Sequence, residues 1–352
     1  MTDSAIDLLS RLIATPSVSR EESGTADILY EWLRQKGVEP RRHYNNVWAV
    51  APGYDPAKKT LLLNSHHDTV RPASGYTRNP FEPVIDNGKL YGLGSNDAGA
   101  SAVCLASVFA GLYSTLLPFN LILALTAEEE VTGEKGMRAM LPHIDGCGYR
   151  IDMGIVGEPT SLQPAVAERG LVVLDCTAKG KAGHAARGEG INALYKAIDD
   201  INALRAIRFE KESGVLGPIS VTVTQINAGK QHNVVPDECN FVVDVRTTDA
   251  YTNEETVDII RNAITSEANP RSTRLRASVI STDHPLVKIC TAMGLEPFVS
   301  PTMSDMAVMH GFPTLKIGPG ESSRSHTADE FIKIDEISAG INTYMNILKS
   351  LK

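Results

Sequence analysis

The sequence lacks any long apolar run. Its most apolar stretch, residues 102–113, is shorter than the roughly 20 residues that a membrane-spanning helix needs. The first residues, MTDSAIDLLSRLIATPS, have no basic start followed by an apolar stretch, so they do not resemble a secretory signal. We therefore expect a cytoplasmic protein that has no contact with a membrane.

Basic residues are not in excess. The chain has 34 Lys and Arg against 42 Asp and Glu, a formal net charge of −8. Such a balance provides no basic surface for nucleic acid, so we expect no nucleic-acid partner. The acidic residues can instead be concentrated where a cation is held.

Cysteine is scarce and shows no pairing pattern. The five residues are odd in number, and none belongs to a C-x-x-C pair. We interpret them as reduced core thiols of a cytosolic protein. They are Cys104, Cys147, Cys176, Cys239 and Cys290.

What the chain does have is a set of short apolar runs that alternate with helical patterns. Residues 60–64 (TLLLN), 120–127 (NLILALTA) and 151–156 (IDMGIV) are typical of buried strands, and residues 98–113 of a helix. This alternation predicts an α/β fold with a mixed, mainly parallel sheet sandwiched by helices. Polar clusters follow the strands directly, so the sequence gathers them at the edge where such sheets bind ligands.

A different order of elements begins near residue 167. We predict strands at 171–178, 219–227, 239–246 and 274–280, with helices at 192–204 and 254–266, in the βαββαβ order of a ferredoxin-like unit. The length of 352 residues also suggests about two domains. We therefore predict one domain from residues 1–166 plus 281–352, and an inserted domain from 167–280.

Two polar clusters are candidates for a metal site. His66 and Asp68 follow the first strand, and a carboxylate beside an imidazole suits a metal ligand, although a polar loop end is the alternative. A Gly-rich turn precedes the helix near residue 98 and contains Asp97. That turn lacks the Lys of a P-loop and the spacing G-x-G-x-x-G, and Asp97 alone could be a helix cap.

Further carboxylates follow the later strands. Glu128, Glu129 and Glu130 come after the second run, and adjacent carboxylates at a strand end need a cation or shared protons. Glu158 lies in Gly-Glu-Pro-Thr after the third run, and His326 lies in a Gly-Pro-rich loop before the last helix. Each of the last two has an alternative role as a surface loop residue.

Taken in order, these motifs resemble one family. H-x-D, the Gly-rich turn ending in Asp, the paired Glu, G-E-P-T and the late His match the family of aminoacylase, acetylornithine deacetylase and succinyl-diaminopimelate desuccinylase, which also includes carboxypeptidase G. Its members are co-catalytic zinc hydrolases. The resemblance extends from the first helix to the last, and it implies a zinc-exopeptidase-like catalytic domain with an inserted lid.

The resemblance also implies a role for each residue. Asp97 would bridge two zinc ions, with His66 and Glu158 completing one site and Glu130 and His326 the other; Co2+ can substitute for zinc. Asp68 would orient His66, and Glu129 would be the general base. A cis peptide after the bridging residue, here Asp97-Ala98, is expected as well.

The inserted domain carries three further residues by the same resemblance. His184, in Gly-His-Ala-Ala, would steady the oxyanion, and Asn233 and Arg246 would bind the substrate, with Arg246 on its α-carboxylate. An exposed lid surface is the alternative for His184 and Arg246. A homodimer formed through the lid domain is implied too.

The expected activity is hydrolysis of an N-acyl amino acid. The turn Tyr-Gly-Leu-Gly resembles the acetylornithine deacetylase branch, which implies N-acetyl- or N-succinyl-ornithine or -citrulline and a place in arginine biosynthesis. Ala98-Gly99 departs from the Met-Lys-Gly that is usual there. The alternatives are an acetyl-lysine deacetylase or succinyl-diaminopimelate desuccinylase of lysine biosynthesis, a dipeptidase or aminopeptidase, and a non-catalytic binding homologue.

Overall fold

A computed structural model describes the whole chain, Met1–Lys352, which divides into two compact units. Unit 1 comprises Met1–Val166, Ile280–Phe298 and Ser304–Lys352. Unit 2 comprises Ala167–Val279 and Val299–Met303. No helix in the chain is long and apolar enough to cross a membrane.

The regular elements are eight α-helices and eighteen strands, most of them short. The helices are α1 Thr2–Ile13, α2 Ser23–Gln35, α3 Ala100–Leu112, α4 Met137–Gly146, α5 Ala193–Ala206, α6 Asn253–Ala263, α7 Pro285–Ala292 and α8 Ile334–Ser350. The strands are β1 Arg41–His43, β2 Asn46–Val50, β3 Thr60–His66, β4 Val84–Asp86, β5 Lys89–Tyr91, β6 Asn120–Thr126, β7 Met153–Val156, β8 Ala165–Glu168, β9 Gly170–Lys179, β10 Gly183–His184, β11 Ser220–Ala228, β12 Val234–Val235, β13 Glu238–Thr247, β14 Glu267–Pro270, β15 Ser278–Val279, β16 Phe298–Ser300, β17 Thr314–Lys316 and β18 Phe331–Lys333.

The large sheet is mixed and parallel at its centre, as predicted. Its strand order is β1-β2-β6-β3-β7-β17-β8-β15, with β16 pairing to β8. β6, β3, β7 and β17 run parallel, whereas β1, β2, β8 and β15 pair antiparallel. The predicted fold class is confirmed.

Helices cover both faces of this sheet. Side chains alternate along each strand, so successive residues of one strand pack into cores on opposite faces. Leu61 and Leu63 of β3 belong to the core beneath α1, α2, α3 and α8. Leu62, between them, belongs to a second core formed with α4 and with Met306 and Met309. Strands that are buried on both faces are apolar throughout, which explains the continuous apolar runs in the sequence.

The predicted clusters lie where these parallel strands end. β3 ends at His66, β6 ends two residues before Glu128, and β7 ends two residues before Glu158. Since the strands are parallel and in register, all three ends lie on the same edge of the sheet. The sheet therefore positions the candidate site.

A small sheet supports the Gly-rich turn. Its order is β18-β5-β4, and Phe331 of β18 pairs with Tyr91 of β5. The chain leaves β5 directly into the turn that contains Asp97, and it enters β18 from the loop that contains His326. The pairing therefore brings these two distant parts of the sequence to the same place.

Unit 2 has the predicted ferredoxin-like topology. Its antiparallel sheet has the order β11-β13-β9-β14, and α5 and α6 pack on the face formed by residues such as Val172, Leu174 and Phe241. The prediction of its last strand at 274–280 is wrong, because Glu267–Pro270 pairs with β9 and Ser278–Val279 pairs with β8. Pro270 ends an edge strand, a position in a sheet where proline is tolerated.

Candidate metal centre

The turn that presents Asp97 has a tightly constrained backbone. Residues Ser95–Gly99 form an irregular turn ahead of α3 in which Asp97 and Ala98 have non-helical backbone angles, and the expected cis peptide is present at Asp97-Ala98. Gly94 has a φ of 75°, and a Cβ there would lie 2.6 Å from Cγ2 of Thr69. This position therefore requires glycine, which explains part of the Gly-rich pattern.

The two carboxylate oxygens of Asp97 face two different histidines. Oδ1 lies 3.2 Å from Nε2 of His66, and Oδ2 lies 3.6 Å from Nε2 of His326. Burial alone would raise the pKa of Asp97, but its contacts with His66 and with Ser325 hold that pKa below the ordinary value. Asp97 is therefore a carboxylate placed between two imidazoles.

His66 is surrounded by negative charge. Its Nδ1 donates to the backbone oxygen of Asp68 over 3.1 Å, so that Nε2 points at Asp97, with Glu158 at 3.7 Å and Glu129 at 3.9 Å. Burial opposes a charge on this ring, yet the carboxylates raise its pKa well above the ordinary value. The surroundings of Nε2 thus favour a cation, either a proton or a metal ion.

The second histidine pairs with the third Glu of the run. Nε2 of His326 lies 3.0 Å from Oε2 of Glu130. The hydrogen bond to Glu130 is the largest cause that raises the pKa of His326, to about 9. The side chain of His326 is 55% exposed, so this half of the site opens to solvent.

Two buried carboxyls complete the cluster. Burial raises the pKa of Glu158 to about 8, and the charges of Asp97 and Glu130 add to that effect. Burial also raises the pKa of Glu129 well above its ordinary value, as do the nearby charges of Glu158, Asp305 and Glu130. Carboxyls with raised pKa values in a cleft are common at functional sites.

Asp68 organises the backbone behind the site. One of its oxygens accepts from the backbone N–H of Glu129 over 3.0 Å, and the other accepts from that of Glu130 over 3.2 Å. The Ser19 hydroxyl donates to it over 2.7 Å, and Nδ1 of His66 lies 3.5 Å away. A single buried carboxylate therefore fixes the turn that presents both Glu129 and Glu130, and it also contacts His66.

The neighbours of these residues turn away from the site. Both ring nitrogens of His67 are satisfied, by the hydroxyl of Thr25 at 2.9 Å and by the backbone oxygen of Asn45 at 3.0 Å. Burial lowers the pKa of His67 to about 4, so the ring is neutral. Glu128 instead accepts from the backbone N–H of Lys135 over 3.2 Å.

The sequence prediction missed two buried carboxyls beside the site. Asp305 accepts from the Thr126 hydroxyl over 2.8 Å, and burial raises its pKa to about 6. Glu330, four residues after His326, accepts three backbone N–H groups of the turn that contains Asp97. The only sequence signal for Glu330 was the acidic pair Asp329-Glu330 just before a strand.

The three predicted lid residues lie in unit 2. His184, on β10, is exposed, and Asn233 is next to it because the backbone oxygen of Asn233 accepts from Ala185 over 3.0 Å. Arg246, on β13, forms a two-pronged ion pair with Asp244 at 2.8 and 3.1 Å. His184 and Asn233 are thus neighbours, and Arg246 is on a separate strand.

The donor set fits a metal ion. One ligand atom from each of His66, Asp97 and Glu130 lies within 4.8 Å of the others. Imidazole nitrogen and carboxylate oxygen suit divalent transition metals such as zinc. Because Asp97 also reaches a second imidazole at His326, the set provides ligands on both sides of one carboxylate.

The sheet collects these ligands at its carboxyl edge, where α/β sheets bind ligands, and together with the match to a family of metal-dependent peptidases this defines the class: a metal-dependent hydrolase. The chain belongs to Peptidase family M20/M25/M40, whose family model matches residues 62–350. The predicted family resemblance is confirmed.

Individual relatives agree with this assignment. The chain is 27% identical to acetylornithine deacetylase of Proteus mirabilis (strain HI4320), over 93% of this chain and 91% of that protein. Aminopeptidase PepT of Bacillus cereus has the same fold, with a TM-score of 0.79 at 18% identity over 99% and 98% of the two chains. The YXEP protein of Bacillus subtilis, described as a dinuclear metal binding peptidase of the M20 family, gives 0.76 at 15% identity over 99% of each chain.

Proposed function

We propose that this protein hydrolyses the amide of an N-acyl amino acid with the help of two zinc ions. The observation that carries the proposal is the position of Asp97, whose two oxygens face His66 and His326 separately. A carboxylate that faces two imidazoles in this way would suit a pair of cations. Co2+ has compatible ligand preferences and is expected to substitute for zinc.

Each proposed ligand is already close to the centre. His66 and Glu158 would hold one ion, since Nε2 of His66 lies 3.7 Å from Glu158. Glu130 and His326, 3.0 Å apart, would hold the other. When bound, the two ions would polarise the acyl carbonyl and lower the pKa of the attacking water.

Glu129 is the proposed general base. Its backbone is fixed by Asp68, and its carboxyl lies beside the ligands without belonging to the closest group of three. It removes a proton as the water oxygen bonds to the acyl carbon, and it returns that proton to the nitrogen as the C–N bond breaks. The products are a carboxylate and a free amino acid.

Asp68 is proposed to orient His66 rather than to react. Its carboxylate accepts hydrogen bonds from the Ser19 hydroxyl and from the backbone N–H groups of Glu129 and Glu130, lies 3.5 Å from Nδ1 of His66, and is completely buried. A residue that holds the second nitrogen of a ligand imidazole fixes the ring and its tautomer, and Asp68 does so through its backbone oxygen at 3.1 Å, with its carboxylate at 3.5 Å. Asp68 would therefore act on the metal through His66 and on the base through the backbone.

The lid residues are proposed to recognise the substrate. His184 is exposed and can donate to the oxyanion, and Asn233 lies beside it. The guanidinium of Arg246 suits the α-carboxylate of the substrate, and in the free chain Asp244 holds its planar group in place. We also propose a homodimer formed through the lid domain.

The substrate is proposed to be N-acetyl- or N-succinyl-ornithine or -citrulline, in arginine biosynthesis. The support is the similarity to acetylornithine deacetylase over 93% of the chain. The test is release of free amino acid from N-acetyl- and N-succinyl-ornithine, -citrulline and -lysine, N-succinyl-diaminopimelate and several dipeptides, with and without added zinc or cobalt. Metal-dependent release from an ornithine or citrulline derivative would support the proposal. Cleavage of dipeptides alone would contradict it and favour a peptidase.

A further inference from the structure

A buried carboxylate outside the proposed ligand set holds the turn that presents Asp97. Glu330 is 2% exposed and precedes β18 directly. Its Oε2 accepts from the backbone N–H of Gly94 over 3.0 Å, and its Oε1 accepts from those of Asn96 and Asp97 over 2.8 and 2.9 Å. One side chain thus satisfies three backbone donors within four residues.

We propose that Glu330 is a positioning residue for the metal centre, one that sets the orientation of Asp97 between the two histidines. This inference rests on the proposed function, because it concerns the carboxylate that would bridge the two ions. It deepens that function by naming a residue that acts through the backbone and is not itself a ligand.

The geometry explains why a carboxylate is needed here. The three N–H groups converge on two oxygens, and buried donors that lack an acceptor are costly. An ionised carboxylate offers about four acceptor sites and no donor, whereas an amide of the same shape replaces one oxygen with two donors. Glu330→Gln would therefore turn a donor toward one of these N–H groups and displace the turn.

The same segment also ties Asp97 to the second histidine. Glu330 and His326 are four residues apart, and the side chain of Asn96 bonds to the backbone of Glu321 in the loop that precedes His326, at 3.0 and 3.1 Å. Movement of the turn would therefore change the distances from Asp97 to both imidazoles. For this reason we expect both metal ions to be affected.

The chain offers a matched control in the preceding residue. The carboxylate of Asp329 likewise accepts two backbone N–H groups, from Thr77 at 2.9 Å and from Arg78 at 3.1 Å, together with the Thr77 hydroxyl at 2.5 Å. That loop contains none of the proposed ligands. Both N–H groups donate to the same oxygen, which an amide keeps, so Asp329→Asn removes a neighbouring negative charge while leaving that backbone contact and the turn of Asp97 in place.

The experiment compares zinc binding by the full chain, Glu330→Gln and Asp329→Asn, each stripped of metal and titrated against a competing chelator. The visible spectrum of the cobalt form and the melting temperature of the metal-free form are recorded for each. We expect Glu330→Gln to bind zinc about 10–100-fold more weakly, the range typical of residues that support a ligand, with an altered cobalt spectrum. Asp329→Asn should match the wild type in both.

Glu330→Asp keeps the charge but withdraws it by one methylene, and it serves if the Gln variant does not fold. Its zinc affinity should also fall, and an affinity equal to that of the wild type would overturn the inference. The inference would also be overturned if folded Glu330→Gln bound zinc as tightly as the wild type, or if Asp329→Asn lost as much zinc affinity as Glu330→Gln. A wild-type chain that takes up no metal would overturn the proposed function as well, so the two failures are distinguishable.

Discussion

Replacing Glu129 by Gln should abolish most of the turnover while leaving the metal centre in place. Gln has the same shape but cannot take up the proton of the attacking water. General bases contribute about 10²–10⁴-fold to a rate, so the barrier should rise by about 3–5 kcal/mol. Metal should stay bound, because the closest ligand group is formed by His66, Asp97 and Glu130.

The neighbouring Glu128 provides the control. It belongs to the same run of three, but its carboxylate accepts from the backbone of Lys135 and faces away from the ligands. Glu128→Gln keeps an acceptor for that N–H, so we expect a stability loss of at most about 1 kcal/mol and an unchanged kcat. The position of each carboxyl, rather than the charge of the run, would then explain the difference.

The assay is release of the free amino acid at saturating substrate, with bound metal measured in the same samples. The reasoning would be refuted if metal-loaded Glu129→Gln kept a kcat within threefold of the wild type. It would also be refuted if Glu128→Gln lost as much activity as Glu129→Gln.

Three further results are expected. Asp68→Asn should weaken zinc binding about 10–100-fold in a chelator competition, because an amide cannot accept both backbone N–H groups of Glu129 and Glu130. The control is Asp152→Asn, which alters a carboxylate that accepts the backbone N–H at the start of β3 and should leave zinc binding unchanged. Equal losses in the two variants would contradict the proposed role. A thiol reagent should modify one cysteine rapidly in the folded protein and all five after denaturation. Only Cys147 is exposed, and burial raises the pKa of the other four thiols. Rapid modification of two or more cysteines in the folded protein would count against the fold. Arg246→Ala should raise KM for an N-acyl amino acid at least tenfold with metal content unchanged, and an unchanged KM would exclude a role in binding the carboxylate.

The sequence predicted the centre of the fold well, because buried parallel strands are apolar on both faces. β3, β6 and β7 begin and end within two residues of the predicted runs. The edge that gathers the polar clusters followed from the same runs, since parallel strands all present their carboxyl ends on one side.

Elements that depend on pairing rather than composition were not predicted. β14 contains Glu267, Asn269 and Pro270, so nothing in its composition indicates a strand, and its pairing with β9 is what forms it. The apolar pattern at 274–280 suggested a strand of the lid instead, but Leu275 forms only an isolated bridge with Leu171, and Ser278 and Val279 pair with β8.

The supporting carboxylates could not be predicted for a related reason. The N–H groups that Glu330 accepts lie more than 200 residues earlier in the chain, and Thr126, which donates to Asp305, lies 179 residues before it. Each carboxylate acquires its role only when the fold brings those groups together. The proposed ligands and Asp68 were recognisable from a family pattern, whereas Asp305 and Glu330 were not.

The most direct test of the central claim is the number of metal ions bound per chain. Metal-free wild-type protein and Asp97→Asn are titrated with zinc, and bound metal is measured after free metal has been removed. The account predicts two ions per wild-type chain, and fewer than two with weakened binding in Asp97→Asn, because this carboxylate faces both histidines. A single ion in the wild type, or two ions bound equally tightly by the variant, would contradict a centre shared through Asp97.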